Sequence, residues 1–161
     1  MKTKRTLGAA ATLTAAGILG FATLGLAGDD TASDMAATVA ADRQMTIWRD
    51  PSCGCCDAYA DYMEGEGYHV TRIDDRDFDK RSVEVGVPEQ GLGCHLAEVD
   101  GYYVSGLVPA DIIDRLTTER PEITGITLPG MPSNAPGMAG KSGTLKTYAF
   151  GEDGVTVYSN E

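Results

Sequence analysis

The sequence predicts an α/β domain over residues 44–161, on three observations. Short apolar runs of strand character alternate with segments of helical period. A cysteine-rich turn, Cys53-Gly54-Cys55-Cys56, follows the first of those runs. Two Asp-Gly pairs, Asp100-Gly101 and Asp153-Gly154, mark hairpins, because a tight turn needs positive φ and glycine permits it.

Met45 to Trp48 is the first strand, broken by Asp50-Pro51-Ser52 before the cysteine turn. Cys55, Tyr59, Tyr62 and Met63 then recur at helical spacing, and Gly65 and Gly67 stop that helix. His69 to Ile73 is the second strand, Asp75 to Val85 a charged helix, and Pro88 to Gly93 a loop. Leu96 to Val99 and Tyr102 to Ser105 flank the first Asp-Gly turn. Pro109 opens a helix at its first position, with Ile112, Ile113 and Leu116 on one face, and Pro121 ends it. Ile123 to Gly143 is rich in glycine and proline and reads as irregular; Leu145 to Phe150 and Val155 to Tyr158 form a last hairpin. The order β-α-β-α-β-β-α, with cysteines after the first strand, is that of thioredoxin-like folds. The expected architecture is a thioredoxin-like three-layer sandwich with an added C-terminal β-hairpin.

The residues before this domain read differently. Lys2, Lys4 and Arg5 precede an uncharged run, Leu7 to Gly28, that ends in small residues. Residues 1–28 are expected to be a secretory signal peptide, with an uncleaved N-terminal anchor as the rival, since the run could just span a bilayer. Leu26-Ala27-Gly28 is followed by Asp29 and not by cysteine, so this is not a lipoprotein signal. Residues 29–43 are dominated by Ala, Thr and Asp without periodicity and are expected to be a disordered linker. The domain is expected outside the cytoplasm, periplasmic, cell-surface or secreted, with membrane contact only through an uncleaved N-terminus.

The net charge is −11, and loss of Lys2, Lys4 and Arg5 takes it to −14. So acidic a surface repels phosphate and argues against nucleic-acid partners. Solubility accounts for most of that acidity, and attraction of metal cations is an unspecific addition.

The chemistry lies in the cysteines. A C-x-x-C pair at a helix start has a physical logic, since exposed N–H groups and the helix dipole stabilise thiolate. Such a pair serves disulfide exchange and metal binding alike. Cys55, a third thiol in the same turn, shifts the balance: it invites scrambling in an exchanger, and three thiolates repel one another unless cations share them. Copper(I) is soft, prefers sulfur and accepts low coordination numbers, and a thiolate can bridge two such ions. Cys53, Cys55, Cys56 and Cys94 are therefore candidate ligands of a multinuclear copper(I) site. Zinc competes less well, through Cys53, Cys56, Cys94 and His95. Neighbours on a strand point to opposite faces, so Cys94 and His95 share one metal only if they precede the strand. A purely structural alternative pairs Cys53 with Cys56 and Cys55 with Cys94 as disulfides. Met131 and Met138 lie in a Pro- and Gly-rich loop, where core packing is not expected, and thioethers suit copper(I) better than zinc. Both join the candidate ligands.

With Cys53-Gly54-Cys55-Cys56, Val87-Pro88, Cys94-His95, Val99-Asp100-Gly101-Tyr102, Gly106 with Val108-Pro109-Ala110, Gly130-Met131-Pro132 and Pro136-Gly137-Met138, the chain resembles the CopG-type copper-resistance proteins over Met45 to Tyr158. The resemblance implies an exported thioredoxin-like domain whose cluster cysteines fall on Cys53, Cys55, Cys56 and Cys94 and bridge several copper ions. Two departures stand out. Leu107 occupies a position where such proteins often carry histidine, and Ala135 one where serine is frequent. The missing histidine favours copper storage or transfer over a redox reaction. The expected function is extracytoplasmic copper(I) binding in copper resistance or handling, with another copper carrier or an efflux protein as partner. Its rivals are a thiol–disulfide oxidoreductase that uses Cys53 as nucleophile and Cys56 as resolving thiol, and a disulfide-stapled binding domain.

Overall fold

The computed structural model describes residues 43–139 and 142–161. The expected signal peptide, and the linker up to residue 42, lie outside the described residues. Arg43 belongs to the fold: its guanidinium donates to the Glu66 carbonyl at 2.9 Å, pairs with Asp114 at 3.2 Å and lies over the Tyr68 ring.

Seven strands form one sheet: β1 (Gln44–Arg49), β2 (His69–Asp74), β3 (His95–Val99), β4 (Tyr102–Ser105), β5 (Gly125–Thr127), β6 (Lys146–Gly151) and β7 (Gly154–Asn160), in the order β2-β1-β3-β4-β5-β6-β7. The described helices are α1 (Gly54–Gly65), α2 (Phe78–Glu84) and α3 (Ala110–Glu119), with a 3₁₀ turn at Glu89–Gly91. Through α3 the elements follow the expected order. β1 runs parallel to β2 and antiparallel to β3, while β4 runs parallel to β5.

Alternation along the strands sorts the core into two faces. Met45 and Ile47 of β1, Ala97 and Val99 of β3, Val104 of β4 and Ile126 of β5 share one face. They pack in one cluster with Tyr59, Ala60 and Met63 of α1 and Ile112, Ile113 and Leu116 of α3. The other face carries Trp48, Leu96, Tyr103 and Phe150, which pack with Val85 and Val87 beyond the end of α2. Helices thus cover both faces of the sheet.

The elements depart from the expectations in three places. The stretch expected to be irregular contains β5, three residues that are too short to show alternation yet fill the gap between β4 and β6. The last hairpin is therefore continuous with the main sheet, joined to it through β5. The second helix starts at Phe78, because the Asp75 carboxylate accepts the Asp77 N–H at 2.9 Å and holds the chain in a turn before it. Pro109 caps α3 from just outside its first residue.

Leu116 is fully buried beneath α3, whereas Val83 on α2 is 49% exposed. Leu116→Ala is expected to lower stability by about 3 kcal/mol. Val83→Ala is expected to change it by less than about 0.5 kcal/mol. Denaturant midpoints of the two variants, compared at equal m-value, check both.

Candidate metal centre

The antiparallel register of β1 and β3 pairs Arg49 with His95. The residues following β1 and the residue preceding β3 consequently meet at the same end of the sheet. Asp50 to Ser52 make the turn between: the Asp50 carboxylate accepts the Ser52 N–H at 2.7 Å and its carbonyl the Cys53 N–H at 3.0 Å. Cys53 then caps α1, its carbonyl accepting the N–H groups of Cys56 and Asp57 at 3.1 and 3.2 Å. Arg49 ties these parts together through Asp57 at 3.0 Å and Asp74 at 3.2 Å.

Among the described residues, the sulfurs of Cys53, Cys55, Cys56 and Cys94 all lie within 4.8 Å of one another. Cys53 and Cys56 form a disulfide, while Cys55 and Cys94 are free thiols. Of the two disulfides in the structural alternative, the first is formed and the second is open. The Cys55 sulfur lies 3.4 Å from that of Cys53, and the Cys56 sulfur 3.2 Å from the Cys94 carbonyl oxygen. Cys56 is fully buried and the other three are partly exposed. The buried face of α1 is Cys56, Tyr59, Ala60 and Met63, so Cys55 stands on the rim of the site, not in the core. Burial, reinforced by the neighbouring Cys55 charge, pushes the Cys94 thiol up to about 12. Metal-free Cys94 is therefore a neutral thiol at ordinary pH.

Cys94 precedes the strand ladder, but His95 is its first residue, so the two do not both lie in the loop before the strand. His95 Nδ1 lies 3.5 Å from the Cys94 sulfur, although His95 falls outside the four-sulfur group. Its ring is fully buried against Tyr59, with centroids 4.7 Å apart, and burial pushes it down to about 3, so it is neutral.

The loop after β5 closes the rim. The Met131 sulfur lies 3.8 Å from that of Cys55, and Met131 is 56% exposed. Met138, also exposed, follows Gly137, which packs onto α1 so closely that an added Cβ would lie 2.8 Å from the Cys55 carbonyl oxygen and 2.9 Å from the Tyr59 nitrogen. Of the two loop methionines, Met131 makes the sulfur–sulfur contact. Leu107 is fully buried in the apolar cluster.

Sequence reasoning missed three supports of this centre. Tyr59 walls His95 and donates its hydroxyl to the Val108 carbonyl at 2.7 Å. Gly137 lets the loop reach α1. Gly93 and Gly106 cross with no room for a side chain: a Cβ on Gly93 would lie 2.3 Å from the Gly106 Cα. Gly137 was visible within the Pro-Gly-Met motif, whereas nothing local marks the crossing of the other two.

A family model described as "Protein of unknown function, DUF411" matches residues 92–138. Two solved structures of a "Copper resistance protein copG", its form 2 and form 1, are similar to this chain at 30% identity. Each covers 73% of this chain, which in turn covers 97% and 96% of theirs, with TM-scores of 0.67 and 0.66. No curated protein matches.

With Cys94 a free thiol, Cys94→Ser is expected to leave metal-free stability within about 1 kcal/mol. A disulfide at this position would instead cost roughly 2–5 kcal/mol on removal. Thermal unfolding of the metal-free variant distinguishes the two.

Proposed function

The chain belongs to the family of the copper resistance protein copG, and from that premise we propose that it binds copper(I) as cargo outside the cytoplasm, for storage or for transfer to another carrier or an efflux protein. The observation that carries this reading is the convergence of four cysteine sulfurs within 4.8 Å, with a thioether 3.8 Å from one of them. An all-sulfur donor set fits a soft monovalent ion and disfavours harder ones. Sulfurs this close can bridge several ions, whose charge offsets the repulsion among the thiolates. Cys53, Cys55, Cys56 and Cys94 are the proposed ligands. Met131 adds a thioether at the rim, and Met138 a second one from the same loop.

Loading all four sulfurs requires the Cys53–Cys56 disulfide to take up two electrons and two protons from a thiol reductant. Copper then displaces the thiol protons. Cys94, whose thiol burial pushes up, must release its proton to bind, so copper(I) affinity falls as pH falls.

A second reading, thiol–disulfide oxidoreductase, is favoured by one observation: Cys53 is partly exposed and Cys56 fully buried, the arrangement expected of a nucleophile and its resolving thiol.

Titration of the reduced protein with copper(I) against a competing chelator separates the two readings. Several tightly held ions per chain, not displaced by zinc, are expected for the copper reading. A two-electron thiol titration without metal uptake would establish the oxidoreductase in its place. Retention of one zinc per chain in the presence of copper(I) would replace the cluster with a zinc site that includes His95.

A further inference from the structure

We propose that His95 is a positioning residue that holds Cys94 through an Nδ1–H···S hydrogen bond, and that it does not itself ligate metal; this role rests on the copper-site reading for its purpose, but not for its geometry. The Nδ1–sulfur separation of 3.5 Å is within hydrogen-bond reach for sulfur. Taken alone, it also suits two ligands of one ion.

The far side of the ring decides between them. His95 Nε2 is buried and has no hydrogen-bond partner among the described residues. A histidine that ligates metal through one nitrogen nearly always donates its other N–H to a carboxylate, carbonyl or water. Ligation through Nδ1 would put the proton on Nε2, leaving a buried donor without a protein acceptor. With the proton on Nδ1, the donor meets the Cys94 sulfur and only a lone pair at Nε2 stays unpaired, the less costly of the two vacancies.

The surroundings fix the ring in this pose. Tyr59 stacks on it at 4.7 Å and is itself anchored to the Val108 carbonyl. His95 is also the first residue of the β3 ladder, opposite Arg49, so its backbone is set by the sheet. The imidazole is thus a fixed donor beside Cys94. An N–H donated to the sulfur favours the thiolate over the resting neutral thiol, so loss of the donor slows reactions that need the thiolate, and it holds the side chain beside the other three sulfurs.

The test compares wild type with His95→Leu, which removes the donor, and His95→Asn, whose side-chain amide can place an N–H where Nδ1 was. In the reduced, metal-free protein, the rate of Cys94 alkylation by iodoacetamide at one fixed pH is read by peptide mass mapping. A fall of about tenfold in His95→Leu, with recovery in His95→Asn, is expected. Copper(I) affinity against a chelator is expected to fall by roughly 10–100-fold in His95→Leu and to recover likewise. Should His95→Leu not fold, His95→Gln takes its place, because it moves the donor to the Nε2 position. Equal Cys94 alkylation rates in all three proteins would overturn the hydrogen bond. Imidazole scattering in the copper X-ray absorption of wild type, lost in His95→Leu, would overturn it in favour of ligation. The alkylation arm needs no metal, so a protein that takes up no copper removes the copper reading while the His95–Cys94 bond is still decided.

Discussion

Arg49 and His95 face each other across the antiparallel β1–β3 ladder, and the metal centre follows from that register. One residue's shift would turn every side chain of β1 to the other face and move the end of β1 away from the start of β3. The alternating burial of Met45 and Ile47 against Ala97 and Val99 prevents the slip, since those four side chains must share one apolar face. The hydrophobic core therefore sets the distance between Cys53 at the head of α1 and Cys94 at the foot of β3. The cluster inherits its dimensions from packing that contains no sulfur chemistry.

Within the centre, burial divides the labour. Cys56 is sunk into the α1 interface while Cys55 and Met131 stand at the solvent edge, so the soft donors of the rim lie outside the buried sulfur. Arg49 places a guanidinium between Asp57 and Asp74. Those ion pairs link the first turn of α1 to the ends of β1 and β2. Tyr59 does the same from within by gripping the segment that leads into α3.

Much of this was legible in the sequence because it rests on local signals. The cysteine turn, both Asp-Gly hairpins and the α3 face each follow from a few adjacent residues, and Cys94 joined the turn as a candidate ligand by its residue type. What escaped depends on contacts distant in sequence. β5 is three residues long and exists because β4 and β6 offer it hydrogen-bonding edges. On α1, periodicity pointed to Cys55 with the aromatic residues, yet Cys56 takes the core position, since the cysteine turn enters the helix at Cys53 and so fixes its rotation. His95 could be singled out as a neighbour of Cys94, but its orientation depends on Tyr59, which lies 36 residues earlier in the chain.

The crossing of Gly93 and Gly106 has a genetic consequence. The Gly106 backbone occupies the volume that a side chain at Gly93 would need, and the Leu128 carbonyl the volume that a side chain at Gly106 would need. Most packing faults in a protein can be relieved by trimming the opposing side chain, but here the opposing atoms are backbone at both positions. A side chain acquired at either position thus has no suppressor at the other. A change at either position is accommodated only by moving a backbone segment, the one at Gly106 for Gly93 and the one at Leu128 for Gly106.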